Sequence, residues 1–133
     1  MANVLLVEDD VMNILIFRKV LEKRGGHQVT HSEDVPEILQ LCLNGLIDLV
    51  VMDISLSNSE YEGQLIDGIE ITRLIKNQAG GADIPVVLTT AHAMSGDEER
   101  FLSASGAQGY ITKPIIDHEE FIGQISGYLD SAS

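Results

Sequence analysis

The sequence predicts a doubly wound α/β fold, a parallel sheet with helices on both faces, and three observations carry that reading. Short apolar runs begin near residues 3, 27, 48, 85 and 108, and each leads into a segment with helical spacing. Such βα alternation builds a parallel sheet through right-handed crossovers. Two runs end abruptly in acid: Asn3 to Val7 meets Glu8-Asp9-Asp10, and Leu49-Val50-Val51-Met52 meets Asp53. The second run is apolar without alternation, as a strand buried on both faces is.

Taken in order, the first strand is Asn3 to Val7, and Val11 to Arg24 is a helix started by Asp10 and ended by Gly25-Gly26. Met12, Ile16 and Val20 form one row on it with Phe17 alongside, while Val11, Ile14 and Leu15 face elsewhere, so one row is left as a candidate docking surface. Arg18, Lys19, Lys23 and Arg24 make it the one basic element of the chain. His27 to His31 reads as a polar strand towards an edge, and Val35 to Asn44 as a helix with Asp34 and Glu37 at capping-box spacing and Cys42 in its apolar row. After the Asp53 strand, Ser57 to Gln64 is polar and turn-rich and reads as a loop before a helix from Gly68 to Asn77. Pro85 to Thr89 is the fourth strand. Ser95 and Glu98 have the spacing of a capping box for a helix ending near Gly106, Gln108 to Thr112 is the fifth strand, and Asp117 with Glu120 opens a last helix striped by Phe121, Ile125, Tyr128 and Leu129.

The 133 residues fit one domain, taken as 1–130 with a frayed tail at 131–133. Eight basic against 21 acidic residues give a net charge of −13, a field that repels phosphate backbones and anionic lipid. Nucleic acid and membrane surfaces are therefore not expected partners. The single cysteine cannot pair within the chain, and no signal stretch or long apolar run appears, so a cytoplasmic location is expected.

In an open α/β sheet the carboxyl ends of the strands share one edge, where ligands bind. Glu8, Asp9, Asp53, Thr90 and Lys113 all follow strands and can converge there. Three carboxylates drawn together call for a cation, and Mg²⁺, which takes few carboxylates and keeps several waters, suits three acids better than calcium. A phosphoryl group approaching Asp53 meets that ion, the Lys113 ammonium and the Thr90 hydroxyl, which is what an in-line phosphoryl transfer requires.

The same residues resemble the receiver domains of bacterial two-component signalling, the response-regulator family. The match runs through Val-Glu-Asp-Asp (7–10), Val-Val-Met-Asp (50–53), Asp-Gly (67–68), Thr-Ala (90–91), Gly-Asp-Glu-Glu-Arg (96–100) and Tyr-Ile-Thr-Lys-Pro (110–114). The resemblance implies a flavodoxin-like (βα)5 fold with strand order 2-1-3-4-5. It implies that Glu8, Asp9, Asp53 and the backbone carbonyl of Ser55 hold Mg²⁺, and that Asp53 is phosphorylated by a sensor histidine kinase or a histidine phosphotransfer protein. Thr90 and Tyr110 correspond to its switch pair and Lys113 to its phosphate-binding lysine, with a cis peptide before Pro114. Ser55 and His92 stand where the family tunes dephosphorylation. His27, His31 and His118 are read as surface residues. By the same resemblance the chain is not an enzyme beyond its own phosphotransfer and slow self-dephosphorylation. It signals to a downstream protein, as a stand-alone monomer or a weak phosphorylation-dependent dimer.

Two features depart from the family pattern. Ser57 stands where a proline is usual, and Gly68 lies about seven residues later than expected, so an acidic insertion follows the phosphorylation position. The successive strand spacings of 24, 21, 37 and 23 residues locate the excess there. The alternatives are a haloacid-dehalogenase-like phosphatase, which wants an acid where Ser55 stands, and a docking module that never uses phosphate.

Overall fold

The computed structural model describes residues 1–132. Five parallel strands, β1 (Asn3–Val7), β2 (Gln28–His31), β3 (Leu49–Asp53), β6 (Val86–Thr90) and β7 (Gly109–Thr112), lie in the order β2-β1-β3-β6-β7. This is the expected 2-1-3-4-5 order renumbered, because a short hairpin of β4 (Glu60–Tyr61) and β5 (Gln64–Leu65) intervenes. The helices are α1 (Val11–Lys19), α2 (Val35–Leu43), α3 (Gly68–Asn77), α4 (Asp97–Ser105) and α5 (His118–Ala132). The last takes in Ser131 and Ala132, part of the expected tail, and Ser133 lies outside the described residues.

Every residue of β3 is buried, and its side chains alternate between two cores although the run itself does not alternate in polarity. Val50 and Met52 join Leu5, Val7, Val86 and Leu88 under α2 and α3, with Ile38, Ile71 and Ile75. Leu49 and Val51 join Val4, Leu6 and Val87 under α1 and α5, with Phe17, Leu21, Phe121 and Ile125. Each fully buried aliphatic contributes about 1.5–3 kcal/mol relative to exposure, so a central strand apolar on both faces fixes where its carboxyl end, Asp53, must sit. Cys42 belongs to the first core, and burial pushes its thiol up to about 11, well away from thiolate chemistry at neutral pH.

Local details differ from expectation in four places. The first helix is α-helical to Lys19 and continues as a π-turn over Val20–Arg24, where the Gly25 N–H reaches back five residues to the Val20 carbonyl. Its buried residues are Val20 and Phe17 of the first expected row together with Leu21, while Met12 and Ile16 of that row stay exposed with Val11 and Leu15. The segment read as a loop contains the β4–β5 hairpin, turned by Glu62 and Gly63, both at positive φ. At α4 no Ser95–Glu98 box forms: Gly96 is the N-terminal flanking residue in a left-handed conformation, and the Asp97 carboxylate instead accepts from the Met94 N–H and pairs with Arg100. Finally, His27, His31 and His118 are half-buried rather than on the surface: His27 Nδ1 accepts from the Ala2 N–H, and His31 Nε2 lies 2.7 Å from the Glu8 carbonyl.

The Asp-Gly step into α3 has a steric cause. Gly68 N–H donates to the Ile54 carbonyl, and a Cβ at Gly68 would lie 2.1 Å from the Asp53 carbonyl oxygen. The start of α3 thus lies directly against the end of β3. Gly68→Ala is expected to destabilise the protein by about 1–3 kcal/mol in urea denaturation, because backbone rather than a pliable side chain must yield.

Candidate phosphoryl and metal site

The carboxyl edge of the sheet gathers the acids. Glu8 leaves the end of β1 and Asp53 ends β3, the strand beside it, so parallel register sets the two side by side. Both are buried, Asp9 is half-buried, and one carboxylate oxygen from each lies within 4.8 Å of the others. Asp10, the fourth acid, caps α1 by accepting from the Met12 and Asn13 N–H groups.

Lys113, just after β7, is the cation of the cluster. Its ammonium lies 3.1 Å from Glu8 Oε2 and 3.3 Å from Asp53 Oδ1, and its side chain is only 7% exposed. Burial, followed by the Asp53 charge, pushes the Glu8 carboxyl above the usual carboxylate range, while Lys113 opposes both. Asn13 Nδ2 and the Asp10 N–H also approach Glu8 Oε1, each at 3.4 Å. Three acids facing one ammonium leave excess negative charge, and hard oxygen donors at this spacing fit a small divalent cation.

Of the remaining expected residues, Ser55, Thr90 and His92 lie at or just beyond the carboxyl ends of β3 and β6, and Tyr110 sits two residues before the end of β7. Ser55 is exposed, and its backbone N–H donates to Asp53 Oδ1 at 3.1 Å. Thr90 is buried at the end of β6 and its Oγ1 accepts from the His92 N–H at 3.1 Å, leaving the hydroxyl proton free to donate. His92 itself is exposed. Tyr110, on β7, stacks on Phe101 of α4 with ring centroids 6.3 Å apart, and its hydroxyl is buried without a hydrogen-bond partner. Burial and the nearby Asp97 and Glu98 charges push that phenol up. The Lys113–Pro114 peptide is cis.

Two contributors escaped sequence reasoning. Asn13 reads as an ordinary helix residue, yet its amide reaches Glu8. Ser57, in the insertion, donates both its N–H and its hydroxyl to Asp9 Oδ2, at 3.1 and 2.9 Å. Nothing in the local pattern marks Asn13, and Ser57 is marked only by the proline it replaces. Only the spatial meeting of the β1 and β3 ends brings them to the acids.

The crowding has a measurable consequence. Replacing Asp53 by Asn removes one buried charge while Glu8 keeps its Lys113 partner. The metal-free Asp53→Asn protein is expected to be more stable than the parent, because the charge that helps push the Glu8 carboxyl up is gone. Denaturation in the presence of a chelator measures it, and a less stable variant would show that the Lys113–Asp53 attraction outweighs the repulsion.

Known proteins share this arrangement. The family model of the response regulator receiver domain matches residues 4–126. The polar-differentiation response regulator DivK of Brucella anthropi is 35% identical over 130 residues, spanning 98% of this chain and 98% of that protein. The receiver domain of a sensor histidine kinase from Pseudomonas aeruginosa, whose structure holds a magnesium ion in its active-site cleft, is similar with a TM-score of 0.79 and 27% identity, over 97% of this chain and 98% of that one. A CheY-like receiver domain protein of Methanospirillum hungatei shares the fold, with a TM-score of 0.77 and 22% identity over 99% and 96% of the two chains. With a family match across nearly its whole length and a DivK relative equally long, the chain belongs to the response regulator receiver domain family of two-component signalling.

Proposed function

We propose that this chain is a phosphorylation-dependent switch of a two-component phosphorelay, in which Asp53 takes a phosphoryl group from a phosphohistidine and the change alters binding of a downstream protein. The carrying observation is the buried Asp53 carboxylate with Glu8 and Asp9 within 4.8 Å and the Lys113 ammonium at 3.3 Å. An Asp53 oxygen attacks phosphorus in line, the P–N bond breaks, and the leaving imidazole takes its proton from solvent. Glu8, Asp9, Asp53 and the Ser55 carbonyl would hold Mg²⁺, whose charge would offset that on the transferring group. Lys113 is already poised between Glu8 and Asp53, so its ammonium can turn to a phosphoryl oxygen without leaving the cluster. The Thr90 hydroxyl, whose oxygen is held by the His92 N–H, donates its proton to another.

Attraction of Thr90 to the phosphate opens room for Tyr110, whose phenol has no partner in its present place and whose ring leans on Phe101 of α4. The face of α4, β7 and α5 is then what the partner reads, and the response is a shift between two populations. Ser55 and His92 border the phosphate and set how water reaches it. Apart from that slow self-hydrolysis and its own phosphorylation the chain turns over no substrate. No described helix is long and apolar enough to cross a membrane.

The phosphodonor docks on α1. Val11, Met12 and Leu15 are more than half exposed there, and Ile16 with Ile115 lines a groove rimmed by Lys19, Lys23 and Arg24. An apolar patch with a basic rim on a protein of charge −13 fits an acidic, amphipathic donor.

Incubation with acetyl phosphate and Mg²⁺ is expected to add the mass of one phosphoryl group to the parent and none to Asp53→Asn; a parent that gains nothing would overturn the reading in favour of pure docking. Charge reversal in Lys19→Glu is expected to slow transfer from a phosphorylated histidine phosphotransfer protein of the source organism while leaving acetyl phosphate uptake unchanged. Equal transfer rates would remove α1 as the docking site.

A further inference from the structure

The three acids of the cluster are not held alike. Glu8 is anchored by Lys113, Asn13 and the Asp10 N–H, and Asp53 by Lys113 and the Ser55 N–H. Among the described residues, the Asp9 carboxylate has hydrogen bonds from one source alone, the N–H and hydroxyl of Ser57, both on Oδ2. Ser57 is in turn fixed from the insertion side. Two residues on, buried Ser59 donates its hydroxyl to the Glu33 carbonyl at 3.0 Å, and its own carbonyl accepts the Ile66 N–H at 2.9 Å across the base of the β4–β5 hairpin. The hairpin therefore holds Ser57 against the half-buried end of the cluster.

We infer that Ser57 is a positioning residue for divalent-cation binding: its two donors pin Asp9 Oδ2 and leave Oδ1 directed to the ion, so that the inserted segment sets the affinity of the site for Mg²⁺. This rests on the reading of the site proposed above and adds a residue to it. A carboxylate offers about four lone-pair sites on two oxygens, so two hydrogen bonds on one oxygen do not use up its capacity for a metal. They do remove rotational freedom from a side chain that is partly open to water, and that ordering is then complete before the ion arrives. Donation to Oδ2 also withdraws some charge from the carboxylate, an opposing effect. Ordering is the larger of the two because neutral donors remove little charge, whereas an unanchored Asp9 spreads over several rotamers. Hydrogen-bond partners of metal-ligating carboxylates typically carry about 10–100-fold in affinity. A residue without an N–H, such as proline, could supply neither bond at this position.

Titration with MgCl₂ alone, followed by backbone amide NMR, tests the inference. Ser57→Ala, which loses the hydroxyl and keeps the N–H, is expected to raise the Mg²⁺ dissociation constant about tenfold, and Ser57→Thr to retain the parent value. The Mg²⁺ concentration for half-maximal uptake from acetyl phosphate should rise by the same factor in Ser57→Ala, with the rate at saturating Mg²⁺ unchanged. A general loss of folding would instead lower that saturating rate and the melting temperature without metal. Equal or tighter Mg²⁺ binding by Ser57→Ala, or equal weakening by Ala and Thr, overturns the role of Ser57 alone. A parent protein that binds no Mg²⁺ overturns the proposed site itself.

Discussion

The mutual repulsion of Glu8 and Asp53, held side by side by parallel register, is the constraint on which the rest of the site depends. Both carboxylates are buried, and burial alone disfavours their charged forms. A lysine ammonium between them offsets part of this, but its stem must come from a third strand, which is why Lys113 follows β7 at the same edge. Removing Lys113 would leave both buried carboxylates without compensation, whereas removing one carboxylate relieves their repulsion. An added positive charge is therefore favoured at this edge. That attraction follows from the repulsion between the two carboxylates.

Packing supplies the rigidity this needs. β3 is buried along its length and feeds two cores at once, and α3 starts within backbone contact of its last residue through Gly68. Asp53 therefore ends an element that cannot slide by one residue without moving every side chain to the wrong core. The proposed switch residues lie on the neighbouring strands. Thr90 and Tyr110 belong to β6 and β7, and α4 touches Tyr110 through Phe101.

Most of this was legible in the sequence because it rests on long-range rules with strong local signs. Apolar runs ending in acid, helical spacing between them, and strand-edge convergence brought Glu8, Asp9, Asp53, Thr90 and Lys113 together before any coordinates. What stayed hidden lacked such signs. Two strands of two residues, Glu60–Tyr61 and Gln64–Leu65, are too short for alternation to register, and their turn is made by Glu62, a residue with no particular preference for positive φ. Spacing alone suggested a cap at Ser95, whereas Asp97 satisfied the Met94 N–H instead. On α1 the buried face takes Val20 and Phe17 from one candidate row and adds Leu21, which belongs to neither, while Met12 and Ile16 of that row stay exposed. Ser57 was visible only as a missing proline; its bonds to Asp9 depend on two loops from different strands meeting in space.

The exposed face of α1 follows from the same geometry. With Phe17, Val20 and Leu21 facing the core, Val11, Met12, Leu15 and Ile16 have no internal place to go, and leaving them in water forgoes roughly 25 cal/mol for each Å² of apolar surface. Folding does not require apolar residues there, since polar ones at the same positions would leave the core untouched. Their position does matter for reach: α1 begins at Asp10, one residue beyond Asp9, so its first turn borders the mouth of the acid cluster. A protein that settled on this face would cover apolar area, meet the basic residues at the far end of the helix, and hold its own reactive group over Asp53. The cost of exposure in the free molecule thereby becomes part of the affinity for that partner. The acidic remainder of the surface repels acidic molecules that approach from elsewhere.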